Sequence, residues 1–396
     1  MTDRDPEPAL RLPDDNGHEV SSLVPRRATW FELFGDLVFV AAIGQITHRV
    51  GTHPTPGSIA AAAGLFVPVW WAWVLYAVQA NRADRDTVAH RLIAMAGLTG
   101  VVAMAVFAGA VGRTAGADAG FVFGYLCARA GVAALYAWDA RGEQALRPVF
   151  RNFTRGSLIG AAGWLGGLFL LHGAARYGVW AAAMVFELLL PLIVGRSLTR
   201  VAHEADHLRE RFGAFTIIVL GESVTGFTGG LTQARSLLSA GLTGIAAFGV
   251  IACLWWTYFN ASGTRPGAHA ALDHGGKLLH AYTFGHLPLQ LGLALTGASI
   301  GIAVSNGGRH LNDTAAACIL GGVAIFLAAS ALTRGAFLGF TEAVVLHRLI
   351  TALLILALLP ATPYLPVALV LTALAALLAT SVILESPAHR RWQRAA

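Results

Sequence analysis

Along this chain, apolar blocks recur from one end to the other. Each is roughly 17–25 residues long, the length that crosses a hydrocarbon core of about 30 Å as an α-helix. Twelve can be marked, at residues 30–47, 58–79, 92–112, 119–138, 156–172, 178–195, 213–229, 237–258, 279–303, 314–333, 337–359 and 364–384. Such blocks leave few folds open, because backbone polar groups in lipid must be satisfied within one helix or within a closed barrel. No block alternates as barrel strands do. Composition agrees: 56% of the 396 residues are hydrophobic and 13% are charged, against about 25% charged in a soluble protein. The reading is an all-α integral membrane protein with about twelve transmembrane helices. The eleventh block is the weakest, since Glu342, His347 and Arg348 interrupt it. The 45 glycines suit close helix approach, as in the small-xxx-small spacing of Gly297 and Gly301, although an Ala/Gly-rich sequence also generates such spacings.

Charge placement orients the blocks. The N-terminal tail, the even-numbered loops and the C-terminal tail hold 21 of the Lys and Arg residues, the odd-numbered loops hold 5, and Arg129 and Arg348 fall inside blocks. An excess of basic residues marks cytoplasmic loops, so both termini are expected in the cytoplasm, with an even number of crossings. The expected organisation is a disordered polar tail (1–25), a first six-helix half (26–200), a second six-helix half (201–385) and a basic tail (386–396). The halves carry a faint repeat. Phe31, Phe34 and Val38 share the spacing of Phe212, Phe215 and Val219, and Trp70-Trp71 matches Trp255-Trp256. Six helices separate the partners, so the repeats would be parallel, about an axis along the membrane normal.

Acids inside apolar blocks carry the chemistry, because a carboxylate at the bilayer centre costs about 2.5–3.5 kcal/mol on insertion scales and generally faces the bundle interior. Glu32 and Asp36 in WFELFGDLVFV are four apart and share a helix face. They suit a proton relay, a cation site or an arginine partner. Alternatively they are interfacial, near the positive end of the first helix, with Asp36 the deeper member. Glu222 lies near the middle of the seventh block, and Glu187 and Arg129 are similarly deep. Arg129 is the natural counter-ion of one of these acids. Asp139 is expected to be solvated. NRADRDTVAHRL (81–92) reads as a solvated ion-pair turn or as a gate beside Glu32 and Asp36.

Other motifs are less specific. HEADH (203–207) places His203, Glu204 and His207 as a zinc motif would, but it sits in a strongly polar run with no third ligand assigned. His280 and His286 point to different faces, and Pro288 frees a carbonyl beside His286. Trp70, Trp71 and Trp73 read as packing or an aromatic belt. Cys127, Cys253 and Cys318 imply no disulfide framework. There is no Gly-rich phosphate loop and no nucleic-acid module. No cofactor and no metal are predicted, and the expected partners are the bilayer and a small ion, a small molecule or a lipid.

Several long motifs, in order, resemble the low temperature requirement A (LtrA) family of bacterial membrane proteins. They are WFELFGDLVFV, NRADRDTVAHRL, HLRERFGAFTIIVLGES, LWWTYF and HLPLQLG. The resemblance implies a multi-pass protein of the bacterial inner membrane linked by name to growth in the cold, with polar family positions at Glu32, Asp36, Asn81, Arg82, Asp84, Asp86, His90, Arg91, His207, Glu210, Arg211, Glu222 and His286. Gly35 and Ala83 depart from aromatic positions, and Thr87 and Asn260 from acidic ones. The family supplies no activity. The leading expectation is a secondary transporter or ion-conducting protein using Glu32, Asp36 and Glu222, with Arg129 or Glu187 as partner. The alternatives are a membrane-embedded enzyme acting on a lipid or isoprenoid, and a non-catalytic factor for growth at low temperature.

Overall fold

The structure is a computed structural model that describes residues 11–13, 19–21, 28–82, 87–142, 144, 147–198, 205–234, 236–261, 277–306, 309–340 and 342–395. Of the residues singled out above, Ala83, Asp84, Asp86, His203 and Glu204 lie outside these. Ahead of the bundle, Arg11–Pro13 pairs antiparallel with Glu19–Ser21, in a tail for which the sequence suggests no element.

Twelve helices follow among the described residues. In the first half they are α1 (Trp30–Thr52), α2 (Pro56–Arg82), α3 (Val88–Ala108), α4 (Ala115–Gly142), α5 (Arg147–Leu170) and α6 (Gly173–Leu198). In the second they are α7 (Ala205–Thr232), α8 (Leu237–Ala261), α9 (Lys277–Ser305), α10, α11 (Ala343–Leu356) and α12 (Val367–Ala395). α10 is built of Asp313–Ala316, a π-helical turn Ala317–Gly321 and Gly322–Leu338. Eleven of the twelve are long and apolar enough to cross a membrane, α11 together with the 3-10 turn Leu359–Ala361 that carries its span on to Ala361. The one that falls short is α5, not α11. The sequence starts its fifth span at residue 156, but the helix reaches back to Arg147 and takes in Arg147, Arg151 and Arg155. In the eleventh, Glu342 precedes the helix as its N-cap and Arg348 is neutralised by a partner from α12, described below.

Packing repeats between the halves. α1 packs on α2 and α3, α3 on α4, α4 on α5, α5 on α6, and α2 on α6. Six helices on, α7 packs on α8 and α9, α9 on α10, α10 on α11, α11 on α12, and α8 on α12. The tightest crossings correspond too. A Cβ on Gly100 of α3 would come within 2.4 Å of the Gly124 carbonyl of α4, and one on Gly292 of α9 within 2.4 Å of the Gly322 carbonyl of α10. Only glycine lets the backbones meet there. Gly297 and Gly301 do face a neighbour, Ser223 and Gly226 of α7. The sequence markers share spacing but not surroundings. Trp70 and Trp71 are 0% and 3% exposed, whereas Trp255 and Trp256 are 47% and 51% exposed. The difference arises because α2 packs against α7 and α9 of the other half, where Trp71 stacks on Phe284 and Trp73 on Phe215.

Candidate functional site

The polar residues gather where α1 begins, α2 ends, α3 begins, α4 ends and α7 begins, so one end of the bundle holds them. Thr29 and Glu32 form a capping box: Thr29 Oγ1 accepts from the Glu32 N–H at 3.2 Å, and Glu32 Oε2 accepts from the Thr29 N–H at 2.7 Å. Two otherwise orphaned amides of α1 are satisfied this way, and the Glu32 carboxylate is fixed at the helix start. Asp36 follows one turn deeper and is fully buried. Its Oδ1 accepts from Arg211 Nη2 at 2.6 Å and from the Trp73 indole N–H at 2.7 Å. Its Oδ2 is buried with no hydrogen-bond partner.

Helix α7 supplies the basic side. Arg211 also reaches Glu32, with Nη1 3.4 Å from Oε1. His207 lies one turn earlier, its Nε2 3.3 Å from Glu32 Oε2 and its Nδ1 3.0 Å from Asn81 Oδ1. Both ring nitrogens thus face protein partners. Glu210 accepts from the Ala28 N–H at 3.2 Å, which ties the chain entering α1 to α7. The motif residues 81–92 divide. Asn81 and His90 are buried, Arg91 is exposed at the start of α3, and Thr87 caps that helix by accepting from the His90 N–H. The Arg82 backbone ends α2.

Beside this network lies a half-open cleft of about 60 Å³, lined by Glu32, Asp36, Tyr76, Gln79, His90 and Arg211 among others. Asp139 is not solvated, as the sequence suggests, but fully buried. It accepts from Gln79 Nε2 at 2.8 Å, and the same amide nitrogen lies 3.3 Å from His90 Nε2. A carboxylate at the end of an apparent span looks solvated when its partner, Gln79, lies on another helix.

The remaining sequence-derived residues form separate groups. Arg129 pairs with Glu187 across α4 and α6 at 3.2 Å. Tyr125 donates to that carboxylate and Arg129 donates to Ser157 at 2.8 Å, which closes the cluster inside the first half. Neither Arg129 nor Glu187 meets Asp36 or Glu222. Glu222 sits half-buried midway along α7, its carboxylate against Gly44 of α1 in space a Cβ would crowd at 3.0 Å. Gly44 lies eight residues past Asp36, about 12 Å along the helix, and Glu222 does not line the Asp36 cleft. His286 is buried between Tyr258, 3.1 Å from Nε2, and the Tyr282 carbonyl, 2.7 Å from Nδ1.

Some members escape sequence reading. Trp73 reads as packing or an aromatic belt, and Gln79, at the end of the second apolar block, is not singled out. The signal for Trp73 is that a buried indole N–H needs an acceptor, and Asp36 is an acid of the neighbouring helix. Trp70 similarly donates to Gln290 Oε1 at 2.7 Å, and Gln290 Nε2 donates to Thr216 at 3.0 Å, joining α2, α9 and α7. At the other end of the bundle, Asp118 pairs with Arg176.

The family model described as "Bacterial low temperature requirement A protein (LtrA)" matches residues 27–384, from just ahead of α1 into α12. "Uncharacterized protein RA0937" of Rhizobium meliloti (strain 1021) is similar at 28% identity over 316 residues, 76% of each chain. The chain therefore belongs to the LtrA family of bacterial multi-pass membrane proteins.

Proposed function

We propose that this LtrA-family chain is a secondary transporter or ion-conducting protein, and that Asp36 is its proton- or cation-binding carboxylate. One observation carries the reading. Asp36 is fully buried where the two halves meet, one oxygen held by Arg211 and Trp73, the other without a protein donor and on a residue lining the cleft. A buried carboxylate oxygen without a donor is costly to keep, and such intramembrane acids mark ion pathways. An arriving proton or cation competes with Arg211 for Asp36. Occupancy therefore loosens the contact that joins α1 to α7, and binding is coupled to the packing of the halves. The cleft, at about 60 Å³, suits waters or a small cation, whereas pockets for larger organic ligands run to roughly 300–1,000 Å³. This favours ions over a lipid substrate. The charge alternation supports a cytoplasmic placement of both termini and of the cleft mouth, in the inner membrane.

Proteoliposomes containing the full chain test this. Proton, potassium or sodium flux should appear, and Asp36→Asn should lower it by roughly a hundredfold, a barrier increase of about 2.7 kcal/mol. Flux in Asp36→Asn equal to that of the unmodified protein would remove Asp36 from the pathway.

A further inference from the structure

The helix that falls short of a full apolar span carries an exposed basic stripe. On α5, Arg147, Arg151 and Arg155 are four residues apart and all exposed, so they form one stripe over two helical turns. Arg141, also exposed at the end of α4, stands over the Trp138 ring at 5.5 Å. No described carboxylate pairs with any of the four; Arg147 donates to the Ala140 carbonyl at 3.3 Å. Glu143 lies outside the described residues, and Asp139 is buried toward Gln79. Helix stability does not explain the start of the stripe, because a cation in the first turn, as at Arg147, opposes the helix dipole.

Beyond the stripe the same outward surface turns apolar, with Leu158, Ile159, Phe169 and Leu170 exposed. From Leu158 to Leu170 it measures about 18 Å at 1.5 Å per residue, well short of a hydrocarbon core of about 30 Å. With Leu170 at one boundary of the core, the innermost arginines would stand at a depth that lipid tails occupy beside the other helices. A bilayer meets such a mismatch by thinning locally, with headgroups drawn to the charge.

We propose that Arg147, Arg151 and Arg155, with Arg141, bind the phosphate-bearing headgroup of an anionic phospholipid. Three features select that ligand. The guanidinium groups form bidentate contacts with phosphate. No acidic side chain is present among the described residues of the stripe to receive the amine of a zwitterionic headgroup. The stripe runs into the apolar face, where a lipid's acyl chains can follow.

The full-length protein, purified in mild detergent, is incubated with equal amounts of phosphatidylglycerol and phosphatidylcholine of identical acyl chains, and the retained lipids are quantified. The unmodified protein should retain phosphatidylglycerol roughly tenfold over phosphatidylcholine. Arg151→Gln/Arg155→Gln should bring the ratio close to parity, while Arg309→Gln, outside the stripe, should leave it unchanged. Equal retention by the unmodified protein, or an unchanged ratio in the double variant, overturns the site. Displacement by millimolar inorganic phosphate alone makes it a free-anion site and overturns the lipid assignment. Should the double variant fail to fold, a photo-crosslinkable phosphatidylglycerol on the unmodified chain decides: crosslinks within residues 141–159 support the site, and crosslinks only elsewhere reject it.

Discussion

Asp36 gives one oxygen to Arg211 and Trp73 and leaves the other buried without a donor, so its neighbours are arranged around a carboxylate they only half satisfy. Removing one partner of a buried ion pair typically costs about 3–5 kcal/mol, because the survivor stays buried and unpaired. Arg211→Leu should destabilise the protein by that order, measured as thermal unfolding in detergent. Adding Asp36→Asn should recover part of the loss, since the orphaned charge is then gone. A double variant no more stable than Arg211→Leu would mean that the two side chains are not energetically coupled. Glu32 differs from Asp36 although only one turn away. Its capping-box bond to Thr29 and its contacts with His207 and Arg211 make it a fixed structural anchor. The Thr-x-x-Glu spacing at 29–32 carries a capping-box signal, which the reading of Glu32 as an interfacial or pathway acid leaves out. The Trp73 donor was not legible, because tryptophan fits an aromatic belt equally well.

At the scale of helices, what was legible follows block length. Twelve apolar blocks give twelve helices, because a segment that must satisfy its backbone internally has one regular way to do so. Helix ends were less legible. Arg147, Arg151 and Arg155 look like loop residues, yet α5 contains them. Arg348 looks like a break in the eleventh span, yet it makes a bidentate pair with Glu385 of α12 at 2.8 and 2.7 Å and donates to the Thr257 carbonyl at 3.2 Å. Glu385 stands just past the apolar block, so sequence distance hides the pair. Arg348→Met should therefore cost about 3–5 kcal/mol by leaving Glu385 uncompensated, and the added Glu385→Leu should restore most of it. The midpoint of thermal unfolding reads both, and no restoration would show that the pair is not what holds α11 against α12.

For the whole molecule, helix-neighbour order repeats after six helices, while the contacts between halves do not follow that symmetry: α2 packs on α7 and α9 of the other half. The cluster of Asp36, Arg211, Trp73, His207 and Asn81 lies in that shared region. This is why single-helix reasoning found its acids but not the pairing, although the family resemblance names Asn81, His207 and Arg211. The inferred cytoplasmic placement of both ends has a direct check. A fluorescent protein that matures only in the cytoplasm should light up when fused to either terminus. Fluorescence from one terminus alone would mean an odd number of crossings, with α5 the first helix to reconsider.

The long reach of the Asp36–Arg211 pair, 175 residues apart in the chain, also sets a problem of timing. Synthesis at roughly 5–20 residues per second delivers Arg211 about ten to thirty-five seconds after Asp36 has entered the membrane machinery. Trp73, only 37 residues on, arrives within a few seconds and can shelter the carboxylate in the interval. On this view the indole serves as a cradle for the nascent chain as well as a bond in the finished one. Trp73→Phe should then reduce the amount of correctly inserted protein severalfold, while the molecules that do mature lose only about 1.5–3 kcal/mol, as for one hydrogen bond to a charged group. Membrane yield and unfolding midpoint, measured side by side, separate the two roles; an unchanged yield would confine Trp73 to the finished structure.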